Sequence, residues 1–156
     1  MKIISKDNIL LEINDNDVII NISGVFKNMC EKYNDSDSES DYENENNNKN
    51  DEDIIKLPIN SKILKNIIEY SKNNNNNKKL IEIKKPLQSN NMKDIVDEWN
   101  ANFIDNISVN INDLFALITA ADYLDIPYLI ELGCAKVATM IKHKTPEQIK
   151  KTFNLL

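Results

Sequence analysis

The chain has no arginine: all 19 of its basic residues are lysine, set against 25 acidic residues, and the formal net charge is -6. Arginine supplies the planar fork that grips phosphates and guanine edges. An acidic surface also repels a polyanion. Nucleic acid is therefore not an expected partner. There is a single histidine, His143, and only two cysteines, Cys30 and Cys134, far apart in 156 residues. Neither a disulfide framework nor a zinc site can be assembled from so few and such scattered groups. With two glycines there is no Gly-rich phosphate loop, and no nucleophile–base set stands out. The reading is of a chain without cofactor, metal or catalysis. No apolar run approaches the ~20 residues of a membrane helix. Lys2 is followed by a short mixed segment instead of a signal-peptide core. The expectation is a protein that is not secreted, touches no membrane, and works in the cytoplasm or nucleus.

What is present is aliphatic. Apolar residues make up 41% and aromatic residues 6%, so a core must be built largely from isoleucine and leucine. The abundance of Asn, Ile and Lys is the codon signature of an AT-rich genome. In the first half, Ile3-Ile4 and residues 9–13 read as two short strands around a Lys6-Asp7-Asn8 turn. Val18, Ile22, Val25, Phe26 and Met29 recur at helical spacing, which predicts one helix over about 17–32. Cys30 near its end reads as a packing residue. Ile54 to Leu57 reads as a third strand stopped by Pro58. Ile63, Leu64, Ile67 and Ile68 follow as one helical face, capped by Asn60 or Ser61. Two polar insertions, about 34–53 and 73–93, are expected to be disordered because they lack the apolar area that offsets ordering entropy. Ser36, Ser38 and Ser40 lie among acids in the first, which reads mainly as a solvated loop.

The second half is helical. Leu114, Leu117, Ala121 and Leu124 share a stripe broadened by Phe115, Ile118 and Ala120, with Asn112 or Asp113 as the expected cap. Such a broad apolar surface suits burial on one side and a partner on the other. Asp125-Ile126-Pro127 ends that helix and begins another, with Pro127 in its first turn. The next helix carries Leu129, Leu132, Val137, Met140 and Ile141. Gly133 within it costs about 1 kcal/mol relative to Ala, which a close helix approach would explain. Lys142, His143 and Lys144 form a basic helix end. Thr145-Pro146-Glu147-Gln148 is a capping box with Pro at the first helical position. Ile149 and Phe153 follow on one face, and a helix with only two large apolar residues must dock on its own domain or on a partner; the plainer reading is a C-terminal helix that closes the core.

Three strings carry a resemblance: W-N-A-N-F at Trp99, A-A-D-Y-L-D-I, and M-I-K-H-K-T-P-E-Q-I-K-K-T-F-N, with I-K-L-P feeding the earlier helix. They resemble the Skp adaptor family, whose strings read A-A-N-Y-L-D-I and M-I-K-G-K-T-P-E-E-I-R-K-T-F-N. The resemblance implies an α/β (α+β) BTB/POZ-like fold, with a small three-stranded sheet packed on helices. It divides the chain into a domain over 1–126 and a C-terminal helical, F-box-binding extension over 127–156, lacking the family's last helix. The implied function is a non-catalytic link between a cullin N-terminal domain and F-box proteins in an SCF ubiquitin ligase, as a monomer within the complex. Carried over by position, Asp122 and Tyr123 face the cullin. Cys134, Val137, Ile141, Pro146, Ile149 and Phe153 face the F-box. Asp122 replaces the family's Asn, and the stretch between Phe103 and Phe115 is about three residues longer than usual. Ending at Leu156 without the last helix is expected to reduce the F-box interface. Alternatives are a decoy that binds a cullin or an F-box protein without bridging, and an elongin-C-like adaptor.

Overall fold

In the computed structural model, residues 2–13, 17–34, 54–74 and 83–155 are described. They fall into two units, 1–75 and 76–156. In the first, strands β1 (Lys2–Ile4) and β2 (Leu10–Glu12) form a hairpin. Ser5 builds its turn: Ser5 N–H donates to Ile9 O at 3.0 Å, and Ile9 N–H donates to Ser5 Oγ at 3.0 Å. Asn8 takes the left-handed conformation there (φ 60°), which Asn tolerates better than most residues. Strand β3 (Ile54–Lys56) pairs in parallel with β1, giving the order β2-β1-β3. Ile3 aligns with Leu11 and Ile55, so all three point to one face. Ile3, at the centre, is fully buried.

The helix expected over 17–32 is two helices, α1 (Val18–Ile22) and α2 (Gly24–Asn34). Ser23 breaks it. Its backbone is extended (φ -102°, ψ 119°), and its Oγ accepts from Phe26 N–H at 3.2 Å. A serine that can cap the next turn competes with the helix ladder, and apolar spacing alone does not register that competition. Phe26 and Ile19 are buried, and α1 packs on both α2 and α3 (Ser61–Asn73). The inner stripe of α3 is Ile63, Leu64, Ile67 and Tyr70.

The cap of α3 comes from far away in sequence. Asn60 occupies the N-cap but makes no side-chain cap bond. Instead Ser61 N–H and Ser61 Oγ donate to the Asp7 carboxylate at 2.7 and 2.6 Å. These bonds, with Ser61 Oγ the strongest cause, lower the Asp7 pKa from 3.8 to about 2.

Most of the 34–53 insertion lies outside the described residues. Of 73–93, Asn73 ends α3, and the described part from Ile83 onward buries Ile83 and Met92. Met92–Asp94 forms a 3-10 turn capped by Asn91. The second unit then consists of helices α4 (Glu98–Ser108), α5 (Ile111–Tyr123), α6 (Pro127–Ile141) and α7 (Pro146–Thr152). The cap of α4 is Asp97, which accepts from Asn100 N–H at 3.1 Å and Asn100 Nδ2 at 2.7 Å. Partial burial pushes the Asp97 carboxyl up, but hydrogen bonds from Asn100 and from the Trp99 backbone outweigh it and leave it lowered. The mixed α/β architecture with a small three-stranded sheet is thus the one expected.

Candidate partner-binding surface

The second unit is held together by the inward faces of α4, α5 and α6. Leu114, Leu117, Ala120 and Ala121 of α5 are buried, as are Leu129, Leu132 and Ala135 of α6. The two helices meet closely at Gly133, where a Cβ would lie 2.4 Å from Ile118 Cγ1. The close approach suggested by that glycine is therefore present. The cap of α5 is Asn110, whose Oδ1 accepts from Asn112 N–H at 3.0 Å, so the cap lies ahead of both expected positions, Asn112 and Asp113. The α5–α6 joint is a Schellman turn: Ile126 N–H donates to Ala121 O at 2.9 Å, and Asp125 N–H to Asp122 O at 3.1 Å. Asp125 is left-handed (φ 52°). The buried pair Ala121 and Ile126 supplies the apolar contact that accompanies such turns. An ion pair, Lys136 Nζ to Asp105 at 2.7 Å, joins α6 to α4.

With these faces buried, the opposite sides are left outward. On α5 they carry Phe115, Ala116, Thr119, Asp122 and Tyr123, all exposed. Asp122 and Tyr123 stand together at the C-terminal end, Tyr123 with 48% of its surface open. On α6, Cys134, Val137 and Ile141 recur at i, i+3 and i+7, so they form one stripe. Cys134 and Ile141 are exposed and Val137 half-buried. Ile130, four residues before Cys134 and half-buried, extends the same stripe. The motif strings did not single it out, although its spacing was available in the sequence.

Helix α7 stands beside this stripe. Thr145 Oγ1 accepts from Gln148 N–H at 3.3 Å, and Thr145 N–H donates to Gln148 Oε1 at 3.0 Å, so the predicted capping box forms. Pro146 is exposed, while Ile149 and Phe153 are half-buried. The Phe153 ring lies 5.8 Å from that of Phe115 on α5. No residue of α7 is fully buried, while Ile149, Thr152 and Phe153 are half-buried, so the helix packs at the edge of the unit. The structure thus places six of the candidate positions, Cys134, Val137, Ile141, Pro146, Ile149 and Phe153, on two contacting helices, and adds Phe115 to them. Asp122 and Tyr123 form a separate pair on α5.

The chemistry of this surface is apolar burial with charged edges. Lys142, Lys144, Lys150 and Lys151 lie around α7. Lys142 Nζ is held by Leu87 O at 2.6 Å. Among the described residues, no cluster of three or more His, Cys, Asp or Glu side chains is placed to hold a metal. Nor is any described helix long and apolar enough to cross a membrane.

Comparison with known proteins points to the same segment. Residues 127–155 match the family model for the Skp1 family, dimerisation domain. The S-phase kinase-associated protein 1 homolog of Tetrahymena thermophila is 41% identical over 105 residues, 67% of this chain and 61% of that protein. The E3 ubiquitin ligase complex SCF subunit sconC of Arthroderma otae is 38% identical over 104 residues, 66% of this chain and 61% of that one. The sconC protein of Neosartorya fischeri is 50% identical over 60 residues, 38% of this chain and 36% of that one. The chain therefore spans less than two thirds of the length of the relatives it matches. The family match lies on α6 and α7, where the stripe is, and together with these relatives it shows that the chain is similar to Skp1-family proteins.

Proposed function

We propose that this protein is a non-catalytic adaptor that joins a cullin to F-box-type substrate receptors in an SCF-like ubiquitin ligase. The observation that carries this reading is the Cys134–Val137–Ile141 stripe, open to solvent beside α7, inside the segment that matches the Skp1 family model. A receptor helix laid along that stripe would remove apolar area from water at about 25 cal/mol per Å². Its specificity would come from the lysines around α7 and from the spacing of the apolar side chains along the stripe. Asp122 and Tyr123, on α5, are the proposed cullin contacts. In this division of labour the protein holds its partners in place and makes no bond.

The test is a three-component capture. A cullin N-terminal domain is immobilised, this protein is added, and an F-box protein follows. Retention of the F-box protein only when this chain is present is the expected result. Ile141→Asp should abolish F-box retention and leave cullin capture intact. Tyr123→Ala should weaken cullin capture and leave F-box binding in solution intact. Cullin captured without any F-box retention would replace this reading with the decoy. Capture of neither would overturn it.

A further inference from the structure

The joint between α6 and α7 is strained at one residue. Lys142 has φ -57° and ψ 129°, His143 has φ 60°, and Lys144 N–H donates to Ile141 O at 3.1 Å. These are the features of a type II turn over residues 141–144, whose third position requires positive φ and is normally glycine. Among the described residues, four non-glycine residues have positive φ: Asn8, Asp125, His143 and Asn154. The other three are Asn or Asp, whose short polar side chains ease that conformation. His143 has the bulkiest side chain of the four, and although His adopts this region more readily than most residues, it is less at ease there than glycine.

The element that this turn positions is weakly held. Helix α7 has seven residues and none fully buried. Its capping box and the Lys144 Nζ bond to Thr152 Oγ1 at 3.1 Å are internal to 144–152. Its ring contact to the rest of the unit is Phe153 on Phe115. So short a helix is not stable once undocked. Undocking, unfolding of α7 and relaxation of His143 to negative φ are therefore one event.

We propose that α7 is a latch whose docked state is opposed by the left-handed conformation of His143, so that residue 143 sets how often Ile149 and Phe153 are held beside the α6 stripe for a partner. The link to a partner rests on the reading of this surface as the receptor site; the latch itself does not.

The experiment is hydrogen exchange at the Ile149, Phe153 and Leu155 amides of the whole chain, which bond to Thr145, Ile149 and Lys150 carbonyls. It is run on the native protein and on His143→Gly, His143→Asn and His143→Val. Glycine should slow exchange roughly threefold and valine should speed it about tenfold, with Asn between Gly and His, following the cost of positive φ. Amides of α4 and α5 serve as controls and should not move. Affinity for an F-box protein, measured on the same series, should run in the same order as protection, because the docked helix is part of the proposed site. Exchange that ignores residue 143 overturns the latch. Graded exchange with a flat affinity overturns its role in gating. Graded exchange with no F-box binding by any variant upholds the latch and overturns the adaptor reading.

Discussion

Gly133 of α6 and Ile118 of α5 are in such close approach that a methyl group on the glycine would come within 2.4 Å of Ile118 Cγ1. In an isolated helix, Gly133→Ala would stabilise by about 1 kcal/mol through helix propensity. Here the clash involves the inner part of a half-buried side chain, and overpacking costs about 1–3 kcal/mol. The substitution should therefore destabilise by about 1 kcal/mol. Ile118→Ala in the same chain should recover most of that loss. Denaturant unfolding of the two single variants and the double variant checks this, and a stabilised Gly133→Ala would show that α5 and α6 do not meet in this way.

Asp7 links the β1–β2 turn to the start of α3, and its ionised form is the one held by Ser61. Its pKa is lowered from 3.8 to about 2. A depressed folded pKa means that the stabilisation is complete above the unfolded value and is lost as pH falls through the folded one. The first unit should thus lose stability between about pH 4 and pH 2 as this carboxylate is protonated. Asp7→Asn should lower the urea midpoint at pH 7, and the difference from the native protein should close towards pH 2. A difference that stays constant with pH would rule out the carboxylate as its source.

What the sequence disclosed and what it withheld divide along a physical line. The Thr145–Gln148 capping box, the helix stop before Pro127 and the β1–β2 turn are made by residues within six positions of one another, and local spacing carries them. The purpose of Gly133 was also visible, since an interior helix glycine is costly without a close neighbour. Asp7 as the cap of α3 was hidden because its partner, Ser61, is 54 residues away. Ser23 was hidden because apolar periodicity continues across the break. Burial of Ile83 and Met92 inside a polar stretch was hidden because composition averages over the few residues that pack. At the candidate surface, helix faces were legible, but the contact of Phe115 with Phe153 was not, since it depends on how α7 returns to α5.

That contact can be weighed directly. The two rings are 5.8 Å apart and tilted by 43°, and such pairs contribute about 0.5–1.5 kcal/mol beyond area burial. A double-mutant cycle with Phe115→Leu and Phe153→Leu should give a coupling of about 1 kcal/mol, read from exchange of the α7 amides. Strict additivity would mean that the rings touch without stabilising the helix.

Thr145 gives the last test, because it separates local from global stability. Its side chain and that of Gln148 satisfy each other's backbone groups at the start of α7. Removing such a cap with Thr145→Ala costs about 1 kcal/mol. If α7 were part of the core, that loss would appear in the unfolding midpoint of the whole second unit. No residue of α7 is fully buried, so the loss should fall on α7 alone. Exchange at Ile149 and Phe153 should quicken about fivefold, the ratio that corresponds to about 1 kcal/mol, while the denaturant midpoint stays within error. A matching drop in that midpoint would instead make α7 an integral part of the folded unit, and a partner would then meet it as a fixed surface.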